Sequence, residues 1–97
     1  MFNHIDKKFE KIGFTKIKED KYGATYERKD VKYNYTQVLD ISHKASGTHI
    51  VQSYDKDLRD AKNIGNTCVG LTYYEMKLIL KKMKQLGYNK SKRNGRR

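Results

Sequence analysis

Residues 14–54 decide the fold, and they read FTKIKEDKYGATYERKDVKYNYTQVLDISHKASGTHIVQSY. Apolar and polar residues alternate with a period of two along most of this stretch, which is typical of strands that bury one face. Breaks at 20–23, 29–32 and 45–47 divide it, and they carry the turn-forming residues Gly and Asp. The pattern therefore predicts four strands joined by short loops, an antiparallel meander, at 14–19, 24–28, 33–43 and 48–54.

The loop lengths predict which residues face each other across this sheet, because a slip of one residue would turn every side chain to the opposite face. The expected pairs are Ile17–Tyr26, Lys16–Glu27, Tyr26–Tyr35 and Ile41–Val51. All three hairpins then give one apolar face, which carries Ile17, Tyr26, Tyr35, Leu39, Ile41 and Val51. The other face is expected to be solvated, and it carries Lys16, Lys18, Thr25, Glu27, Asn34, Thr36, Asp40 and Gln52.

A helix is predicted on each side of the strands. Ile5, Phe9 and Ile12 recur at i, i+4 and i+7, with Asn3 as N-cap and Gly13 as C-cap, so the first helix should span 4–12.

The second helix begins with the capping box of Thr72 and Glu75 and ends at Gly87. Its expected core stripe consists of Tyr73, Met76, Ile79, Leu80, Met83 and Leu86.

These elements predict an α+β fold, a two-layer sandwich of order α-β-β-β-β-α with both helices on one face of the sheet. We expect a single domain over 1–89 and a basic flexible tail over 90–97. The segment 55–71 is predicted to be an exposed turn or short helix followed by a loop at 63–66. The stretch 68–71 would return to the core and bury Cys68.

Positive charge is concentrated at the C-terminal end of the chain. The sequence has 22 Lys and Arg against 11 Asp and Glu, a formal charge of +11. Glu75 is the single acidic residue after position 71, whereas lysine and arginine recur throughout that part. Such segregated charge attracts polyanions, so the expected partner is a nucleic acid first and an acidic protein surface second.

The residues expected to contact that partner form two groups. Lys77, Lys81 and Lys84 recur at i, i+4 and i+7 on the last helix, opposite its expected core stripe, with Tyr74 one turn earlier. The tail adds Lys90, Lys92, Arg93, Arg96 and Arg97, whose arginines suit forked contacts with phosphate. The alternative interpretation is a solvated helix face followed by a tail without a partner. For most tyrosines, packing in the core or at its edge is the better interpretation.

Several other classes of protein are excluded or disfavoured. No apolar run approaches the ~20 residues that span a bilayer, and one cysteine cannot build a disulfide scaffold. The N-terminus MFNHIDKKFEK has charges where a secretory signal has an apolar stretch, which predicts a cytoplasmic location. The sequence contains no P-loop, no GxSxG elbow and no paired-carboxylate pattern, so we expect neither an enzyme nor a cofactor.

His43 and His49 should face each other across the 45–47 turn. A zinc site needs three or four ligands, so these two imidazoles do not predict a metal. We expect a surface cross-strand pair that gains charge below about pH 6.5.

The sequence resembles two families of proteins. The order helix–strands–helix is similar to that of double-stranded-RNA-binding domains, which have three strands where four are predicted here, and no residue is carried over from them. The frequent Lys, Asn, Ile and Tyr, with GFTKIKED at 13–20 and LTYYEMKLILKKMKQLG at 71–87, resemble small accessory proteins of phages and mobile elements of AT-rich bacteria. That resemblance implies a protein that acts by binding inside a bacterial host, including as an anti-CRISPR-like inhibitor of a defence nuclease.

Two functional hypotheses follow. The first is a non-enzymatic protein that binds nucleic acid or a ribonucleoprotein through the last helix and the tail. The second is a phage-encoded inhibitor that docks on an acidic or nucleic-acid-binding surface of a host nuclease.

Overall fold

The computed structural model describes residues 4–44, 46–60 and 67–87. In chain order the elements are α1 (His4–Lys11), β1 (Thr15–Asp20), β2 (Gly23–Asp30), β3 (Tyr35–His43), β4 (His49–Asp55), α2 (Lys56–Asp60) and α3 (Tyr73–Gln85). The strands form one antiparallel sheet in the order β1-β2-β3-β4, so the predicted α+β fold and its meander are confirmed. The expected tail at 90–97, the loop at 63–66, and Asn3 and Ala45 lie outside the described residues.

Helices α1 and α3 cover the same face of the sheet, as predicted. The ring of Phe9 in α1 stacks on Tyr26 of β2 with 4.4 Å between ring centroids. The core between the two layers consists of Phe9, Phe14, Ala24, Tyr26, Leu39, Ile41, Leu78 and Ile79. The C-caps also follow the sequence, because Gly13 and Gly87 have φ values of 99° and 89°. These are left-handed conformations that glycine adopts without steric cost.

The registers of the last two hairpins preserve the predicted faces. Strands β3 and β4 pair as expected, with Ile41 opposite Val51 and His43 opposite His49. The β2–β3 pairing was predicted wrongly, because Tyr26 lies opposite Leu39 and the loop occupies 31–34. Strand β2 is longer than predicted and β3 begins two residues later than predicted, and the pairing shifts by an even number of residues. Each side chain therefore stays on its predicted face.

Strand β1 contains an irregularity that the period of two does not predict. Its pairs from Lys18 to Asp20 keep the predicted register, but a β-bulge between Lys16 and Lys18 shifts the preceding part by one residue. Lys16 consequently lies opposite Tyr26 on the helix side, and Ile17 is 52% exposed. The prediction for these two residues was wrong. The bulge turns Lys16 to the helix side, where the unshifted Glu19 also lies, and each of the two has an ionic partner there.

The opposite face of the sheet is covered in part, although it was expected to be solvated. Helix α2 packs over it, with the guanidinium of Arg59 lying 3.8 Å from the centroid of the Tyr54 ring. Lys56 forms an ion pair with Glu27 at 3.5 Å, and Val38 is 3% exposed. The alternation of apolar and polar residues therefore predicts correctly which side chains of β2, β3 and β4 lie on this face. It does not predict that the short charged helix α2 packs over the face.

Residues 67–69 run along the outer edge of β4. The amide of Asp55 donates to the carbonyl of Thr67, and the amide of Val69 donates to the carbonyl of Ser53. Leu71 packs against the core, as expected for this stretch. Cys68 is exposed, so its predicted burial was wrong. It belongs to an edge segment that pairs through its backbone and not to a core strand.

Helix α3 is turned about its axis by almost one residue position relative to the prediction. Its buried residues are Glu75, Leu78, Ile79 and Lys82. Of the expected core stripe Ile79 is buried, Met83 and Leu86 are partly buried, and Tyr73, Met76 and Leu80 are exposed. The physical reason is that Glu75 and Lys82 have ionic partners on the sheet and on α1. Those pairs form only if this side of the helix faces inward.

Replacing Gly23 with alanine is expected to destabilise the fold much more than replacing Gly47. Both glycines have positive φ, 141° and 92°, which costs an L-residue about 1–2 kcal/mol. A Cβ at Gly23 would collide with the backbone carbonyl oxygen of Ile41, whereas a Cβ at Gly47 meets no described atom within 4 Å. Denaturant titration should therefore show Gly23→Ala losing about 2 kcal/mol more than Gly47→Ala. Equal losses would contradict the close approach of β2 to β3.

Candidate partner-binding surface on helix α3

The N-terminal end of α3 is fixed by a cap and by an arginine. Thr72 and Glu75 form the predicted capping box, in which Thr72 Oγ1 accepts from the amide of Glu75 at 3.1 Å. Glu75 Oε1 accepts from the amide of Thr72 at 2.9 Å, and Glu75 Oε2 accepts from Arg28 Nη2 at 2.8 Å. The same nitrogen donates to Gln37 at 2.8 Å, and the guanidinium lies 4.2 Å from the centroid of the Phe14 ring. These contacts join the start of α3 to the middle of the sheet.

The C-terminal half of α3 is held by a cluster of charged side chains around the buried Lys82. The Lys82 side chain is fully buried, and its Nζ donates to Asp6 Oδ1 at 3.2 Å and to Glu19 Oε1 at 2.7 Å. Lys16 Nζ donates to both of the same carboxylates, at 2.7 and 2.9 Å. The Tyr26 hydroxyl donates to Asp6 Oδ1 at 2.6 Å. We call Asp6, Lys16, Glu19, Tyr26 and Lys82 the Lys82 cluster.

Burial and hydrogen bonding in the Lys82 cluster shift the pKa values of Asp6, Glu19 and Tyr26. Burial on its own raises the pKa of Asp6, but hydrogen bonds from Lys16, Tyr26 and Lys82 outweigh it and hold that pKa below its usual value. The pKa of Glu19 is lowered in the same way, with burial opposed by hydrogen bonds from Lys82 and Lys16. Burial and the bond to Asp6 raise the pKa of the Tyr26 phenol far above its ordinary value. Both carboxyl groups are therefore ionised at neutral pH.

Acid is expected to destabilise the protein through this cluster. The pKa values of Asp6 and Glu19 are lower in the folded than in the unfolded state, so their contribution is present above the unfolded values and is lost as pH falls through the folded ones. Denaturant titrations should show the unfolding free energy falling below about pH 4, where carboxyl groups of unfolded chains take up protons. In Glu19→Gln this decline should be smaller. An identical pH dependence in the variant and the parent would contradict the assignment.

The three lysines predicted on α3 form an exposed ridge. The side chains of Lys77, Lys81 and Lys84 all face solvent, and none of them makes an ion pair with a carboxylate of the described residues. Tyr74 is 47% exposed and precedes Lys77 by about one turn. We call Lys77, Lys81 and Lys84 the lysine ridge. The other five predicted site residues, Lys90, Lys92, Arg93, Arg96 and Arg97, lie outside the described residues.

Beside the lysine ridge lies a groove that the sequence analysis did not predict. It has a volume of about 260 Å³, lies between α3 and β4, and is lined by Val51, Leu71, Met76, Ile79, Leu80 and Met83. We call it the apolar groove. Leu80 is 66% exposed and Met76 is 45% exposed, so the groove is open to solvent. It exists because α3 buries Glu75 and Lys82 and leaves part of its apolar stripe outside.

A signal for this groove is present in the sequence. Glu75 and Lys82 are seven residues apart and therefore lie on the same side of the helix. An acidic and a basic residue on one side, with acidic and basic residues available in α1 and the strands, are compatible with an inward-facing charged side. The hydrophobic pattern alone favours the opposite orientation, in which Met76 and Leu80 face the core.

The two histidines face each other, as predicted. Their Nδ1 atoms are 3.0 Å apart and their rings stack with 4.9 Å between centroids. At this distance one nitrogen donates and the other accepts, so the contact requires at least one neutral ring. Across the described ranges, no group of three or more His, Cys, Asp or Glu is arranged to hold a metal ion.

Two further findings concern the class of protein. None of the helices in the described part of the chain is long and apolar enough to cross a lipid bilayer. Comparisons with protein-family models, with curated proteins and with solved structures gave no match.

Proposed function

We propose that this protein binds nucleic acid, or a ribonucleoprotein, without catalysing a reaction, and that the lysine ridge of α3 contacts the phosphates. The observation that supports the proposal is the contrast among the lysines of one helix. Lys82 is neutralised by two carboxylates inside the fold, whereas the lysine ridge has no carboxylate partner among the described residues. Three like charges on one face repel one another by a few tenths of a kcal/mol per pair, and a polyanion removes that repulsion.

The dimensions of the lysine ridge suit a phosphate backbone. From Lys77 to Lys84 the helix rises about 10 Å, which is about three times the axial rise of ~3.4 Å per phosphate of one duplex strand. Tyr74 continues the ridge and offers an exposed ring to a base or a sugar. The cationic residues of 90–97 add charge directly after the helix in the sequence. Binding of this kind is independent of base sequence and sensitive to salt.

Fluorescence anisotropy with a labelled mixed-sequence DNA duplex and a labelled RNA hairpin tests the proposal. We expect binding at 50 mM salt and an affinity at least roughly 40-fold weaker at 200 mM, since three phosphate contacts give a salt slope of about −2.7 for duplex DNA. Absence of binding to both probes at 50 mM salt would overturn the proposal.

The second candidate function is inhibition of a host nuclease by protein–protein binding, as the resemblance to phage accessory proteins implies. The apolar groove favours it, because phosphate recognition does not need an apolar surface beside the lysines. Affinity capture from lysate of a bacterial host, with and without nuclease treatment, separates the two candidates. A stoichiometric protein complex that survives the nuclease supports the second candidate, and loss of all bound material supports the first.

A further inference from the structure

We infer that the apolar groove of α3 is a docking site for one acidic amphipathic helix of a partner protein. The inference develops the second candidate function and does not depend on nucleic-acid binding. The occupant is a segment that places apolar side chains in the groove and carboxylates against the lysine ridge. Grooves of this kind bind helices through apolar residues at i, i+3 or i+4, and i+7.

The lining of the groove indicates an apolar occupant. Met76, Ile79, Leu80 and Met83 follow one another along α3, and Val51 and Leu71 close the other side. None of these six residues carries a polar side chain, so an oligonucleotide finds no hydrogen-bond partner there. Two of the six are methionines, whose flexible side chains adapt to varied apolar surfaces. The apolar side of an amphipathic protein segment can pack against these six residues.

The charge beside the groove indicates that the occupant is acidic. On the helix surface, Leu80 of the groove neighbours both Lys77 and Lys84, at i−3 and i+4, so the groove and the lysine ridge adjoin there. Carboxylates that flank an apolar stripe therefore meet lysine ammonium groups that have no carboxylate partner in the described part of the chain. Complementary charge of this kind accelerates association and excludes partners of like charge.

The same charge argues against a second copy of this chain as the occupant. The formal charge of the chain is +11, and a two-fold pairing through the groove would bring two lysine ridges together. Residues 88–97 are also unsuitable, because they contain five basic and no acidic residues. An acidic partner segment is the occupant that removes both the apolar exposure and the uncompensated charge.

The probe for the test is a synthetic 15-residue helical peptide with leucine at i, i+4, i+7 and i+11 and glutamate at the flanking positions. Controls are a peptide of identical composition in scrambled order and a peptide with lysine in place of glutamate. With ¹³C-methyl-labelled methionine in the full chain, the peptide should shift the Met76 and Met83 methyl signals. Neither control peptide should shift them at the same concentration.

Two variants of exposed residues make the test specific. Leu80→Ser should weaken peptide binding roughly tenfold or more, because it removes a large apolar contact. Val31→Ser, which changes a residue that is 84% exposed on the β2–β3 loop, should leave the affinity unchanged. Leu80→Ser should also bind the DNA duplex as the parent does, so a failure of nucleic-acid binding and a failure of the groove are distinguished.

Four results would overturn the inference. Two concern the peptide: methionine methyl signals that do not move at millimolar peptide, and equal peptide affinity of Leu80→Ser and the parent. The third is concentration-dependent self-association that Leu80→Ser abolishes, which would identify a second copy of the chain as the occupant. A shift of the same methyl signals by the DNA duplex, with none by the peptide, would assign the groove to nucleic acid and would also overturn it.

Discussion

Replacing Lys82 with alanine is expected to lower the free energy of unfolding by about 3 kcal/mol, because it removes the buried cation from two carboxylates that keep the partly exposed Lys16. The Lys82 side chain is fully buried and donates to both Asp6 and Glu19. Lys16 reaches the same carboxylates, but its side chain is 35% exposed, so it replaces the lost interaction incompletely. Denaturant titration at pH 7 measures the effect.

A neighbouring lysine provides the matched control. Lys81→Ala removes the same side chain from the adjacent position of α3, where it is exposed and makes no ion pair with the described residues. We expect little change in its stability. Lys82→Met keeps an apolar stem of similar length and removes only the charge. It should lose most of what Lys82→Ala loses, since Asp6 and Glu19 again lose their buried ammonium donor and keep the partly exposed Lys16. If Lys82→Met were as stable as the parent, packing and not charge would explain the burial of this residue.

The second large effect is expected at the lysine ridge. Changing Lys77, Lys81 and Lys84 together to glutamine should weaken binding of the DNA duplex by roughly 100-fold at 0.1 M salt, because three phosphate contacts are lost. Glutamine has nearly the helix propensity of lysine, so α3 should be retained. Circular dichroism and the midpoint of denaturation check this, and fluorescence anisotropy gives the affinity.

A control variant separates position from net charge. Changing Lys29, Lys32 and Lys44 to glutamine removes the same number of charges from exposed positions outside α3. This variant should keep an affinity within a few-fold of the parent, since distant charges act mainly through a screened long-range field. Equal losses in the two variants would mean that the whole surface, and not α3, attracts the nucleic acid.

Much of the fold could be predicted because its determinants are local. Period-two alternation and short loops gave the order of the strands, and the pairing of Ile41 with Val51 follows from the loop between them. The pairing of β2 with β3 differs from the prediction by four residues, and because four is an even number the side chains remain on their predicted faces. The capping box at Thr72 and the glycine at position 87 likewise depend on neighbouring residues and were predicted correctly.

The features that sequence reasoning missed depend on contacts between distant residues. Lys82 lies 76 residues from Asp6 and 63 from Glu19, and Glu75 lies 47 residues from Arg28. A hydrophobic pattern counts apolar residues and takes no account of such pairs. It therefore placed Leu80 in the core stripe, whereas the structure exposes Leu80 and buries Lys82. The β-bulge between Lys16 and Lys18 was missed for the same reason, because it turns Lys16 toward Asp6 and Glu19.

The candidate site was predicted in part for the same reason. Lys77, Lys81 and Lys84 face solvent both in the predicted orientation of α3 and in the observed one. The exposure of the lysine ridge therefore does not depend on the rotation of the helix. The apolar groove depends on the rotation, because the rotation leaves two of its lining residues, Met76 and Leu80, outside the core.

The most direct test of the central claim, that α3 presents its uncompensated lysines to phosphates, is the salt dependence of binding. The slope of log K against log salt for the DNA duplex should be smaller in magnitude by about 2.7 in the Lys77, Lys81 and Lys84 variant than in the parent. The Lys29, Lys32 and Lys44 variant should keep the parental slope. Parallel lines for the parent and the α3 variant would show that these three lysines contact no phosphate.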